Sequence, residues 1–163
     1  METYMPQQRK ERDFCVGTIF HPPFLGLLDQ HLASLAAAQK AYERNVNITL
    51  LFSYVRDTAH VSRAKKIIAK HSKTLSIELL VAEQRFTCGG ARNYLYPRMK
   101  APWKIFFDVD VAVDRVYFTE LHSALNTVKK KTPQVKAIAG GIGSWGDTAI
   151  GRYELLAPDC FGI

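Results

Sequence analysis

The stretch Trp103-Lys104-Ile105-Phe106-Phe107-Asp108-Val109-Asp110 decides how this chain is read. An apolar segment of the kind found in a strand buried on both faces runs straight into two carboxylates one residue apart. In an extended chain, residues i and i+2 project to the same side. Two like charges held close together repel unless a cation or hydrogen-bond donors neutralise them. Oxygen ligands of this type suit Mg²⁺ or Mn²⁺, with substrate phosphates completing the shell. The same letters also fit a solvated turn at a strand end, with Asp114 capping the next helix. For an Asp-x-Asp in isolation that is the simpler account, so the surrounding sequence has to choose.

Working outward, residues 14–20 are apolar and β-branched and stop at His21-Pro22-Pro23, a buried first strand entering a loop. Leu28, Leu32, Leu35 and Tyr42 then recur at helical spacing. Residues 48–55 form a second apolar strand. Asp57 or Thr58 is placed to cap a helix whose inner face carries Val61, Ala64 and Ile68. Residues 75–81 are a third strand, followed by Cys88-Gly89-Gly90-Ala91-Arg92-Asn93, a glycine turn into a short helix bounded by Pro97 and Pro102. Residues 104–107 are the fourth strand. A further helix carries Phe118, Leu121, Leu125 and Val128, and residues 135–139 are a fifth strand closed by Gly140-Gly141-Ile142-Gly143. Strands alternating with helices predict a doubly wound α/β domain, a mostly parallel sheet with helices on both faces. In such sheets ligands bind beyond the carboxyl ends of the strands. That rule selects the loops at residues 21–23, 53–57, 89–93 and 108–114.

Composition limits the alternatives. The chain has 163 residues, 47% hydrophobic and 23% charged, enough for one domain with a real core. Residues 1–13 are polar and mixed in charge, expected as a flexible arm ahead of a single domain at 14–163. They lack the apolar core of a secretory signal, and no apolar run reaches the roughly 18 residues of a membrane span. The expected location is the cytoplasm. Cys15, Cys88 and Cys160 have neither metal nor redox spacing and are expected as free thiols. A net charge of +7 fits a phosphate-bearing ligand, solubility, or peripheral association with an anionic membrane face. The clusters Lys65-Lys66 and Lys129-Lys130-Lys131 are most simply solvated helix faces or ends. No basic strip interleaved with aromatic residues suggests nucleic acid.

Three other features can carry chemistry. Gly89-Gly90-Ala91-Arg92-Asn93 lets the backbone approach an anion, adds helix N-terminal N–H groups, and offers the Arg92 fork to a phosphate; a plain tight turn with a surface arginine is the alternative. His21, after the first strand, is by itself more simply structural or exposed. Gly140, Gly141 and Gly143 with Trp145 suit either a flexible loop with a stacking ring or an ordinary glycine turn.

Taken together, Gly90-Ala91-Arg92-Asn93, a short helix, and then Trp103 through Asp110 resemble the family 2 class of GT-A glycosyltransferases, as does the first helix from His31-Leu32-Ala33-Ser34-Leu35 to Gln39. The resemblance runs from about Phe14 to about Trp145. It implies a nucleoside-diphosphate sugar as donor, UDP-linked by default, and Mn²⁺ or Mg²⁺ as cofactor. Asp110 would ligate the metal, and Asp108 would sit by the ribose and diphosphate and share the metal. Arg92, Asn93 and Gly90 would belong to the nucleotide wall, with His21, Ser53 and Asp57 at the remaining loops. The acceptor would be a glycan or other hydroxyl. The chain departs from the family's pattern at two loops: His21-Pro22-Pro23 replaces a polar residue after a proline, and Phe52-Ser53 replace paired aspartates, of which only Asp57 is an echo.

Family members carry their acceptor region and catalytic carboxylate well beyond the Asp-x-Asp. The chain is therefore expected to be the donor-binding half, holding donor without transferring it efficiently. Asp147 and Asp159 are the carboxylates left as candidates for the base, and neither lies in a motif. A sugar-1-phosphate nucleotidyltransferase shares the layered fold, but would open with a basic, glycine-rich loop where this chain has His21-Pro22-Pro23-Phe24. A non-catalytic nucleotide-binding domain of the same fold stays open.

Overall fold

A computed structural model describes residues 13–131. The expected fifth strand, the 140–143 glycines, Trp145, Asp147, Asp159 and Cys160 lie outside the described residues. The chain divides into two compact units, Met1–Thr119 and Glu120–Ile163. The first holds the four described strands and every described candidate residue. The second contains, among the described residues, the greater part of the last helix.

Four strands, β1 (Phe14–Phe20), β2 (Asn47–Ser53), β3 (Ser76–Ala82) and β4 (Trp103–Asp108), form one sheet in the order β3-β2-β1-β4. Every described pairing is parallel, from Cys15↔Asn47 to Phe20↔Phe52 and from Phe14↔Trp103 to Ile19↔Asp108. The helices are α1 (Leu28–Tyr42), α2 (Thr58–His71), α3 (Cys88–Leu95) and α4 (Tyr117–Lys131); a 3-10 helix, Pro22–Leu27, leads into α1. The expected α/β architecture is therefore the observed one. Among the described residues no helix is long and apolar enough to cross a membrane.

Side-chain alternation along β1 explains why both faces must be covered. Phe14, Val16, Thr18 and Phe20 face α1, whose buried stripe is Leu28, His31, Leu32, Leu35, Ala38 and Gln39. The Phe14 ring lies 5.7 Å from Tyr42, and Phe20 stacks on Phe52 at 4.4 Å. Cys15, Gly17 and Ile19 face the other way, where Cys15 and Leu51 pack with Ala91, Leu95 and Met99 from α3 and the turn after it. Cys15 is a free thiol whose pKa burial pushes up, and Cys88 is free and exposed.

Polar ties close the layers. The Gln39 amide donates to the Thr74 carbonyl and accepts from the Val46 N–H. Asp29 on α1 holds Lys70 and His71 of α2, and these contacts lower its pKa. Asp13, expected in the flexible arm, accepts from Tyr42 and Arg44 at 2.7 Å immediately before β1. Two local expectations shift. Strand β2 ends at Ser53 rather than at 55, because Tyr54 turns into the left-handed region with φ of 60°. On α2 Ala64 is buried as expected, whereas Ile67 is buried in place of Ile68, and Val61 and Ile68 are only partly covered.

Gly17 shows how closely α3 and its following turn approach the sheet. A Cβ there would fall 2.8 Å from Met99 Sδ and 3.1 Å from the Phe106 ring. Gly17→Val is expected to lower the unfolding free energy by about 1–3 kcal/mol in urea titration. Because the offending Met99 end is flexible, Gly17→Val with Met99→Ala should cost less than the two single changes added together; strict additivity would show that the contact is not the cause.

Candidate functional site

The chain runs β1, β2, β3 in one direction across the sheet and then returns to place β4 on the other side of β1. The strand order therefore reverses between β1 and β4, and the carboxyl ends of these two strands are the edge where doubly wound sheets bind ligands. Asp108 lies directly opposite Ile19 in the register, so the Asp-x-Asp begins at this switch point.

The two carboxylates do not continue an extended strand. Asp108 is the last residue of β4, and Val109 and Asp110 form a turn closed by the Val111 N–H on the Asp108 carbonyl at 3.1 Å. The same-side geometry expected of i and i+2 in a strand is replaced by that of a β-turn. Val109 is buried, and both carboxylates stay exposed. Asp114, expected as a helix cap, accepts from the Val116 N–H at 2.9 Å and so closes the turn that precedes α4, whose first residue is Tyr117. Turning the chain here serves burial: Val109 and Val113 become covered while the charged residues between β4 and α4 remain in solvent.

Helix α1 grips the segment beyond the turn. His31, 1% exposed, places Nδ1 2.6 Å from the Val111 carbonyl and Nε2 2.9 Å from Thr18 Oγ1. A carbonyl only accepts, so Nδ1 carries the proton. Burial pushes the His31 pKa down, against the Val111 hydrogen bond and the Asp110 charge, and the ring is neutral; Nε2 then accepts from the Thr18 hydroxyl. Ser34, one turn on, donates to the His31 carbonyl at 2.7 Å and accepts from the Val113 N–H at 3.0 Å. Between α1 and the turn lies a shallow recess bounded by Leu27, Gln30, Val109, Asp110 and Ala112, with His31 at its wall.

On the opposite face of the sheet, α3 begins at Cys88 with Thr87 as its cap. Gly89 and Gly90 thus lie inside the first helical turn rather than in a loop before it. The Thr87 hydroxyl accepts from the Gly90 N–H at 3.1 Å, so this N–H is already used, a correction to the view of it as a free anion donor. Arg92 and Asp108, joined by prediction, are joined in space: Nη2 lies 3.9 Å from Asp108 Oδ1, with both side chains about half exposed or more. Asn93 is exposed on the same helix.

At the end of β2 the expected pair His21 and Ser53 are in contact. The Nδ1 of His21 is 2.9 Å from Ser53 Oγ and 3.2 Å from the Ser53 carbonyl oxygen. Ser53 is fully buried, so its hydroxyl acts on His21 rather than on a ligand. Asp57 caps α2, accepting from the Ala59 N–H at 2.8 Å, which is a structural use of that carboxylate. Between them Tyr54 is exposed and left-handed, with the Arg56 guanidinium 5.2 Å from its ring centre. A non-glycine residue there costs about 1 kcal/mol or more and is held by its N–H on the Gln84 carbonyl.

Sequence reasoning passed over Thr18, His31, Ser34, Thr87 and Tyr54. One signal was present: His31 sits on the apolar stripe of α1 between Leu28 and Leu35, and a histidine on a buried stripe needs polar partners from elsewhere in the fold.

The Arg92–Asp108 pair is solvent-facing, so it organises charge more than it stabilises. Arg92→Ala and Asp108→Asn should each change the unfolding free energy by less than about 1 kcal/mol. A loss of 3 kcal/mol or so in urea titration would instead give the pair a buried-bridge role.

No protein-family model matches the sequence, and no curated protein matches it. Among solved structures the chain is similar to the crystal structure of S. aureus TarS 1–349, a glycosyltransferase of GT-A type, with a TM-score of 0.55 and 17% sequence identity. The match takes in 72% of this chain and 32% of the TarS chain, so this chain spans about a third of that length. At that identity the likeness concerns the fold, and it agrees with the observed parallel sheet covered on both faces.

Proposed function

We propose that this chain binds a nucleoside-diphosphate sugar, UDP-linked by default, at the switch point between β1 and β4, and that the whole protein transfers the sugar to an acceptor hydroxyl. The observation that carries this reading is the exposed Asp108-Val109-Asp110 turn at the carboxyl edge of the sheet, with Arg92 beside Asp108. The likeness of fold to a GT-A glycosyltransferase supports it.

The donor set fits Mn²⁺ or Mg²⁺. Among the described residues no third His, Cys, Asp or Glu joins the two carboxylates. One or two carboxylates with the remaining positions left to phosphate and water is how Mg²⁺ is commonly held beside nucleotides. Asp110, with Asp108, would hold the ion. When bound, the ion supplies Lewis-acid stabilisation of charge on the departing diphosphate. Arg92 would fork onto a phosphate from the α3 side, and Asn93 would lie along the same wall. His21, set by Ser53, would border the nucleotide from the β1 loop. The acceptor hydroxyl needs a base within hydrogen-bond reach.

Titration calorimetry with UDP and GDP, with and without Mn²⁺, tests the reading. Binding strengthened by Mn²⁺ is expected, and Asp110→Asn should remove that enhancement while leaving the melting temperature unchanged or slightly higher, since it relieves a like-charge pair. No nucleotide binding would end the proposal, and unfolding of Asp110→Asn would give the residue a structural role. Arg92→Ala should weaken UDP binding by about 1.5–3 kcal/mol. Lys66→Ala, on the exposed face of α2, should cost nearly nothing; equal losses would mean that only net charge matters.

A further inference from the structure

We infer that His31 is the positioning residue of the Asp-x-Asp turn: it holds the Val111 carbonyl against α1 and so leaves Asp110 facing outward where a cation can reach it. This rests on the donor-binding reading above. The segment from Val111 to Asp114 lies between β4 and α4 without regular structure, and it follows two like charges. Something must keep it from relaxing away from them.

Two contacts from one face of α1 do so, His31 on the Val111 carbonyl and Ser34 on the Val113 N–H. Residues three apart on a helix share a face, so the two act as adjacent clamps. The His31 ring is itself fixed. Thr18 holds Nε2, and the ring centre of Phe107 lies 6.4 Å from that of the imidazole in a T-shaped contact. A leucine would fill the stripe between Leu28 and Leu35 without the desolvation cost of a buried imidazole. What the imidazole adds is reach: to β1 at Thr18, one residue before the partner of Asp108, and to the carbonyl directly after Asp110.

The test uses the whole chain, with UDP and Mn²⁺ as probes. His31→Asn retains a nitrogen donor near the Nδ1 position, and His31→Leu retains volume alone. With Mn²⁺, His31→Asn should bind UDP within about threefold of the parent, and His31→Leu at least about tenfold more weakly, once the partly buried Val111 carbonyl has lost its donor. With chelator, all three should bind UDP alike. Equal Mn²⁺-dependent binding by His31→Leu and the parent would overturn the assignment, as would equal weakening by Asn and Leu.

Should the parent chain show no Mn²⁺-dependent binding, the donor reading falls, and hydrogen exchange then decides the anchoring. The Val111 and Val113 amides should exchange at least about tenfold faster in His31→Leu than in the parent and His31→Asn; unchanged exchange overturns it. Where His31→Leu does not fold, imidazole ¹⁵N shifts of the parent chain serve instead: the assignment requires the proton on Nδ1, and a bare Nδ1 ends it.

Discussion

A buried imidazole on the helix that covers the central strand of a parallel sheet ties together the elements that form the edge of the site. Strand β1 is flanked on both sides, so its two connections to the site leave from one narrow edge: the Pro22–Leu27 helix leading into α1, and, from neighbouring β4, the turn that carries the carboxylates. Burying a polar ring costs free energy unless each nitrogen is matched. His31 meets that condition by joining three elements, α1 through its own backbone, β1 through Thr18, and the segment after β4 through Val111. The same requirement that makes the ring tolerable in the core makes the site a defined shape.

The electrostatics of the edge follow from that arrangement. Asp108 has Arg92 within reach, whereas His31, which feels the charge of Asp110, is pushed by burial towards its neutral form. Among the described residues no cation lies within ion-pair distance of Asp110. The pair is therefore unequal: one carboxylate is partly screened, and the other retains its charge at that edge.

The loops that depart from the family pattern also have a physical account. Where the family pattern has paired aspartates at the end of β2, Ser53 is buried against His21 and Tyr54 turns left-handed, with the Arg56 guanidinium over its ring. Asp57, the one acidic residue left there, is committed to capping α2.

Much of this was legible along the chain. Apolar residues repeating every second or every third and fourth position marked the strands and helices within a residue or two, because burial periodicity is a local property of each element. Their alternation implied the parallel sheet, and the sheet implied its carboxyl edge as the site, which put Asp108, Asp110 and Arg92 together before any coordinates. What only the tertiary structure decided were contacts between residues far apart in sequence. The turn at Val109-Asp110, the use of the Gly90 N–H by Thr87, and the His21–Ser53 contact depend on how elements meet, not on their own composition. His31 and Val111 are 80 positions apart, and no spacing rule links a helix stripe to a carbonyl at that separation. The sequence by itself determined which residues would reach the edge of the sheet; the packing of α1 across β1 decided which of them would be held still there, because only a folded core makes an unmatched imidazole nitrogen costly enough to hold a loop in place.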